Sequence, residues 1–197
     1  MKHLARLTTL AIALSPAVAL AQVQTYYHEG AWDAFSGRSS NGGAVCGIGN
    51  TNPSDKSRLS LHFDIGDPDT TFSASKPDWS IPDNTEVPVV IQVGLNTPWT
   101  QQATGYGHTI DWRLDQTAIQ TFNQQFRTAP SMTIYFPDGN EPPWTLSLAG
   151  STVISDTFAR CIRDLTRQVQ AAQRPPSTAP ETGAPTQPFS APPASVA

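Results

Sequence analysis

The chain has 197 residues, of which 38% are hydrophobic, and it contains 5 Trp, 4 Tyr and 8 Phe. This is enough apolar material for one domain with a core, so the composition excludes a chain that is disordered throughout. Lys and Arg number 12 against 16 Asp and Glu, giving a formal net charge of −4. A negative chain is poorly suited to neutralising phosphates, and we therefore expect no nucleic-acid partner.

The first 21 residues have the pattern of a bacterial secretory signal peptide. Lys2 and Arg6 precede an apolar run that ends in Ala19-Leu20-Ala21, the small-residue motif that signal peptidase cleaves. The run is shorter than the ~20 residues that a helix needs to cross a bilayer. We expect cleavage after Ala21, a mature chain that starts at Gln22 with no membrane span, and a periplasmic or secreted location.

Cys46 and Cys161 are the 2 cysteines of the chain. In an exported protein two such cysteines are expected to form a disulfide bond. The alternative is a reactive thiol or a zinc site, but a separation of more than a hundred residues is not a metal-ligand spacing. The sequence therefore predicts a Cys46–Cys161 bond that ties an early strand to a late helix.

Alternating hydrophobicity predicts a mainly β domain. In residues 58–65 the side chains of Leu59, Leu61, Phe63 and Ile65 fall on one face, which is typical of a half-buried strand. Pro88 confines its end of a strand to a sheet edge or a bulge. An Asp-Gly pair predicts a hairpin between the last two strands. Strands are predicted at 31–35, 44–48, 58–65, 87–95, 104–114, 131–136 and 144–148, with a tight loop in the glycine-rich stretch before 44–48.

Two segments have helical spacing. Asp115 or Thr117 can cap a short helix that Pro130 ends, and Ser151 is a candidate cap for a longer amphipathic helix that places Cys161 on its core side. The predicted fold is mainly β (α+β), an antiparallel β-sandwich-like body with both helices packed on it and one disulfide. Residues 22–173 form the single domain, and the Pro/Ala/Ser/Thr-rich residues 174–197 form a disordered tail.

The sequence offers little catalytic chemistry. It has no nucleophile elbow, phosphate-binding loop or zinc-hydrolase motif, so we expect no cofactor, no metal and no enzymatic activity. Asp64, Asp67 and Asp69 form a carboxylate cluster, but the Gly and Glu of a calcium loop are absent. A small hydrolase is the opposing possibility. Its acid/base pairs would be His62 with Asp64, or His108 with Asp111.

Aromatic side chains provide the candidate binding surface. Alternation along 106–112 places Tyr106, His108, Ile110 and Trp112 on one strand face, where His108 either lines a pocket or is a core histidine bonded to a backbone carbonyl. The same alternation makes Trp112 a candidate for the core. Three further tryptophans lie beside prolines at loop edges. The candidate surface is Tyr106, His108, Trp112, Trp79, Trp99 and Trp144.

The arrangement over roughly residues 31–166 resembles the small periplasmic proteins of the invasion-associated locus B type. The resemblance rests on Trp32 followed by Cys46, on the Trp79–Asn84 turn, and on Trp144–Ser151 leading into an amphipathic helix. It implies a β-sandwich-like periplasmic protein with no assigned catalytic site and a role in envelope or host interaction. This chain departs from the pattern in its one cysteine pair and its Pro-rich tail.

These observations favour a non-enzymatic binding or accessory protein of the bacterial envelope. Its partner would be another envelope protein or a cell-wall component, and its oligomeric state stays open. A more specialised alternative is an inhibitor of a cell-wall hydrolase, because such targets are often basic and this domain is acidic.

Overall fold

The computed structural model describes residues 23–39 and 41–174. The predicted signal peptide at 1–21 and residues 175–197 of the predicted tail at 174–197 lie outside these ranges. Within the described residues, no helix is both long enough and apolar enough to cross a membrane.

The described residues form ten strands and two helices, in one antiparallel sheet of order β1-β2-β3-β4-β5-β8-β7-β6-β9-β10. The predicted fold class is confirmed: the fold is mainly antiparallel β, with a short helix, a C-terminal helix and one disulfide. The elements are β1 Val23–Glu29, β2 Trp32–Arg38, β3 Ala44–Thr51, β4 Arg58–Asp64, β5 Thr70–Ser75, β6 Ile81–Val93, β7 Trp99–Gly107, β8 Thr109–Leu114, α1 Gln116–Thr128, β9 Ser131–Tyr135, β10 Trp144–Ser147 and α2 Ser151–Gln173.

The sheet curls until its two ends approach each other. The Trp32 indole N–H, near one end, donates to the Ser147 carbonyl in β10 at the other end, over 2.9 Å. Next to this contact the chain turns into α2 at Gly150, whose φ is +85°. A Cβ at Gly150 would lie 2.6 Å from Cγ of Glu29, so only glycine allows this approach. We call the line where β10 faces residues 31–32 the seam.

The curl gives the sheet an inner face, which both helices cover. In this core Trp32 meets the edge of Phe126 from α1 at 4.9 Å between ring centroids, and Phe72 stacks on Trp112 at 5.4 Å. Phe122 of α1 packs edge-on against Phe72. Aromatic contacts of this kind add ~0.5–1.5 kcal/mol beyond area burial. The inner face of the sheet and one side of α1 therefore form a single core.

The glycines of β3 make room for side chains on the outer face. A Cβ at Gly47 would lie 2.1 Å from Cζ of Phe35, and one at Gly49 would lie 2.3 Å from a guanidinium nitrogen of Arg58. Arg58 in turn sits over the Phe35 ring at 5.6 Å from its centroid. The glycine-rich sequence therefore belongs to a strand, as predicted, because its neighbours occupy the space that side chains would need.

Several predicted boundaries are wrong. Residues 104–114 form a hairpin rather than one strand, because the chain reverses at Gly107, with φ of +56°, and Tyr106 pairs with Thr109. Strands β1 and β5 were not predicted, since β1 is exposed along nearly all its length and β5 is rich in Ser and Thr. The N-cap of α2 is Gly150, not Ser151, whereas the predicted Asp115 cap of α1 is confirmed by its bond to the Ala118 N–H.

Candidate functional site

A groove of about 880 Å³ lies between the two helices and the inner face of the sheet. We call it the helix groove. Its size is within the range of small-molecule sites, and a mainly apolar interior is their usual character. Strands β3 and β4 form its floor and the two helices form its sides. The apolar lining includes Ile48, Leu61, Phe63, Ile119, Phe122, Phe126, Phe158 and Ile162.

Both helices that border the groove are held in place. The Arg127 guanidinium of α1 pairs with the Asp156 carboxylate of α2 at 2.7 Å, and the Thr152 hydroxyl of α2 donates to the Arg127 carbonyl. Further along α2, Cys161 is bonded to Cys46 of β3, with the two Cα atoms 6.0 Å apart. The predicted disulfide is confirmed. The groove is thus preformed, because α2 is fixed both to α1 and to the sheet.

The rim of the groove is acidic at the start of α1. Asp67, Asp69 and Asp115 lie on the rim, with Arg163 of α2 as a basic rim residue. Asp67 is paired with Arg113 at 3.2 Å, and Asp115 is used as the helix cap. The carboxylates still outnumber the guanidinium among the lining residues. The rim therefore favours a neutral or cationic group over an anionic one.

A second cluster joins three segments near the end of β3 that is farther from the disulfide. We call Asp55, Lys76, Trp79, Glu141 and Trp144 the Glu141 cluster. Glu141 Oε1 accepts from Lys76 Nζ at 2.8 Å and from the Trp144 indole at 2.8 Å, and Oε2 accepts from the Trp79 indole at 3.1 Å. The two indoles stack at 5.3 Å, and Lys76 also lies 3.7 Å from Asp55.

The charges in this cluster stabilise each other. Burial raises the pKa of Glu141, but the hydrogen bonds from Lys76, Trp144 and Trp79 outweigh burial and hold that pKa below its usual value. The hydrogen bond to Glu141 likewise raises the pKa of Lys76. Both groups are therefore charged at neutral pH. The Glu141 carboxylate accepts three hydrogen bonds, one of them from Lys76, which is the arrangement of a structural cluster.

The predicted strand face of Tyr106, His108, Ile110 and Trp112 does not exist, because these residues lie on both sides of a turn. Tyr106 is 44% exposed and its hydroxyl donates to Asp111 at 2.6 Å. Burial, reinforced by that bond and by the Asp111 charge, raises the pKa of Tyr106 to about 12. His108 is exposed in the turn itself. Its Nδ1 bonds to the Trp79 carbonyl, as expected for a histidine bonded to a backbone carbonyl, but the exposed ring is not part of the core.

The predicted loop tryptophans are partly or fully enclosed. Trp144 is 9% exposed and Trp79 is half-buried, and both belong to the Glu141 cluster. Trp99 is half-buried and its indole donates to Gln125 of α1 at 2.7 Å. Trp112 is 3% exposed, and its indole nitrogen has no hydrogen-bond partner among the described residues. The structure therefore gathers Trp79 and Trp144 together and leaves Trp99 and Trp112 elsewhere.

The two predicted acid/base pairs differ in geometry. His62 Nε2 lies 3.7 Å from Asp64 Oδ2 on the outer face of β4, beyond hydrogen-bond length but within ion-pair range. His108 and Asp111 each bond to another partner: the ring to the Trp79 carbonyl and the carboxylate to the Tyr106 hydroxyl. The second pair is therefore not arranged for proton transfer between its members.

The helix groove was missed by the sequence analysis, although its helical members were recognised as apolar stripes. Ile119, Phe122 and Phe126 lie on one stripe, and Phe158 and Ile162 lie on the other. A stripe that covers a core and one that lines a groove have the same spacing.

No family model matches the chain, and comparisons with curated proteins and with solved structures find no match.

Proposed function

We propose that the protein is an exported, non-enzymatic binding protein of the bacterial envelope, and that its ligand occupies the helix groove. The observation that carries this proposal is the groove itself, about 880 Å³ in volume, apolar inside and preformed. The ligand class that suits it is a small molecule with an apolar body. A neutral or cationic polar end would lie at the acidic rim near Asp67 and Asp69.

Export is supported by two features. The disulfide fits an oxidising compartment, where such bonds persist. The N-terminal sequence has the pattern of a secretory signal, for which we propose periplasmic delivery and cleavage after Ala21. Intact mass of the protein recovered from the periplasm of a Gram-negative host, without reduction, reports both the new N-terminus and the bond. The resemblance to invasion-associated locus B proteins agrees with this placement and stays a prediction.

Binding in the groove can be tested with N-phenyl-1-naphthylamine, a neutral dye that fluoresces in apolar surroundings. Ala159 is an exposed residue of α2 that lines the groove, so Ala159→Trp should fill it and weaken dye binding at least tenfold. Ala171→Trp places the same side chain on an exposed position of α2 outside the groove and is the matched control. Equal dye binding by both variants and the unmodified protein would exclude the groove.

The charge preference has its own measurement. Dodecylamine and dodecanoate have the same hydrocarbon chain and opposite head-group charges, so they can compete for the bound dye. We expect dodecylamine to displace the dye at a lower concentration, because carboxylates dominate the rim. Displacement by dodecanoate at the lower concentration would contradict the assignment of the polar end.

A further inference from the structure

A second cleft, of about 500 Å³, opens at the seam. We call it the seam cleft. One side is β10 with residues 141–143 before it, and the other side is the end of β3 with the turn that leads into β4. Leu59, Trp144 and Leu146 form its apolar base. Asn50, a polar residue only 9% exposed, also lines it, so the cleft reaches polar atoms that are otherwise withdrawn from solvent.

The free edge of β10 faces this cleft. Within the described part of the chain β10 ends the sheet and pairs with β9 alone. The Leu148 N–H donates to the Pro130 carbonyl on the β9 side over 3.0 Å. Backbone groups alternate in direction along an antiparallel strand, so those of Trp144 and Leu146 also face β9.

The backbone N–H and C=O groups of Thr145 and Ser147 consequently point into the seam. The Trp32 indole confirms this direction, because it reaches the Ser147 carbonyl from the seam side at 2.9 Å. That bond occupies one backbone group of the edge. The Thr145 N–H, the Thr145 carbonyl and the Ser147 N–H are the remaining edge groups directed toward the cleft. A row of this kind is what an added strand pairs with.

The cleft also has an acidic end. Asp55 Oδ1 accepts the Ser57 N–H and hydroxyl at 3.0 and 2.8 Å, while Oδ2 is 3.7 Å from Lys76 Nζ, too far for a hydrogen bond. Lys76 donates instead to Glu141. Asp55 is the more exposed carboxylate, with 36% of its side chain accessible against 16% for Glu141. A cation in the cleft can therefore approach Asp55.

We propose that the seam cleft binds an extended peptide that pairs with β10 as an added strand and directs a lysine or arginine side chain to Asp55. A strand rises about 3.3 Å per residue, so a segment of three or four residues spans the length of β10. The backbone contacts give affinity, and the Asp55 carboxylate selects the basic residue. This site is separate from the helix groove and does not depend on the function proposed for it.

The test uses a synthetic peptide, acetyl-Val-Lys-Val-Lys-Val-amide, with binding followed by isothermal titration calorimetry. Three analogues isolate the two interactions. Two of them carry N-methyl groups on alternate amides, one on the first set of alternate amides and the other on the second set, and the third has Gln in place of both Lys residues. We expect one of the two N-methylated peptides to bind at least tenfold more weakly than the parent, because only one set of alternate N–H groups can donate to β10. The Gln peptide should bind about threefold to tenfold more weakly.

Protein variants address the same contacts from the other side. Thr145→Pro removes one of the two N–H groups that face the seam, the other being that of Ser147, and leaves the bonds to β9 intact, since proline is tolerated on a free strand edge. It should weaken the Lys peptide at least tenfold, whereas Thr145→Ala, which keeps the N–H, should stay within twofold. Asp55→Asn should remove the preference for the Lys peptide over the Gln peptide.

Three outcomes would overturn the proposal. They are no binding of the Lys peptide at millimolar concentration, equal binding of both N-methylated peptides and the parent peptide, and unchanged binding of the Lys peptide by the Thr145→Pro variant. The peptide comparisons use the unmodified protein, so they stand even if Thr145→Pro fails to fold. Ala159→Trp, which blocks the helix groove, should leave peptide binding unchanged. A parallel loss in that variant would place the peptide in the groove and also contradict the assignment.

Discussion

On the β3 side of the molecule a covalent bond holds α2 to the sheet, whereas on the β10 side hydrogen bonds to the Glu141 carboxylate from Lys76 and Trp79 tie the segment after β5 to the segment before β10. The disulfide closes a loop of 115 residues and does not depend on pH in the acidic range. The hydrogen bonds of Glu141 depend on its negative charge and are not affected by reductants. Glu141 lines the seam cleft, and Cys161 of the disulfide precedes Ile162, which lines the helix groove.

The two clefts should respond to different conditions, because a covalent bond and a charged carboxylate are broken in different ways. Reduction should loosen α2, a wall of the helix groove, because it removes the covalent tie to β3. Acid should loosen the loop before β10, because Glu141 then loses its charge. Variants of the disulfide, of Glu141 and of His108 separate these effects.

Removing the disulfide should have the largest effect. The chain-entropy relation assigns a 115-residue loop about 4 to 5 kcal/mol, and we expect Cys46→Ala with Cys161→Ala to lower the free energy of unfolding by that order. The midpoint of thermal unfolding should fall by roughly 8 to 20 °C. Calorimetry with and without reductant checks this, since reductant should destabilise only the unmodified protein. A loss below about 1 kcal/mol would show that the bond contributes little.

Replacing Glu141 should have an intermediate effect that depends on pH. Glu141→Gln leaves an indole or ammonium donor without its acceptor, and the cost should be about 1–3 kcal/mol at pH 7. Glu141 has a pKa below its ordinary 4.5 in the folded chain, so its contribution is complete above that value and is lost as pH falls through the lowered pKa. The difference between variant and unmodified protein should therefore shrink below pH 4.5.

Urea unfolding at pH 7, 5, 4 and 3 measures this dependence. Glu86→Gln, at an exposed position of β6, removes the same charge outside the cluster and is the matched control. It should change the free energy of unfolding by no more than about 0.5 kcal/mol. A loss for Glu141→Gln that stays constant down to pH 3 would show that its charge is not what matters.

His108→Ala should have the smallest effect. His108 is exposed in the β7–β8 turn, and its ring bonds only to the Trp79 carbonyl among the contacts described above. We expect a loss of at most about 1 kcal/mol, or roughly 2–4 °C in the thermal midpoint. Substituting a histidine of the core by alanine would lower the free energy of unfolding several-fold more. A fall of 10 °C or more would mean that the turn contributes to the Glu141 cluster through Trp79.

Much of the fold could be predicted because the signals were local. The alternation of Leu59, Leu61 and Phe63 fixes which face of β4 is buried, and Asp115 caps α1 through a bond only three residues away. The disulfide followed from the presence of two cysteines and the expected compartment. Strand β1 was not predicted because it is exposed along nearly all its length, and β5 was not predicted because Phe72 and Ala74 are its only apolar residues.

The candidate sites were predicted poorly because they depend on residues distant in sequence. Alternation placed Tyr106, His108 and Trp112 on one face, but the positive φ of Gly107 reverses the chain between them. Trp144 looked like a loop aromatic, yet it is enclosed because Glu141 and Trp79 lie against it. No pattern in a single segment reports such neighbours.

The class of fold and the two amphipathic helices could be predicted from sequence because local periodicity specifies them. The pairing of Cys46 with Cys161 could be predicted because each cysteine has one possible partner in the chain. The curl that brings Trp32 to Ser147, the helix groove and the seam cleft could be found only in the folded chain. The reason is physical: a cleft is space between elements, and its shape depends on how far those elements approach after their apolar faces are buried.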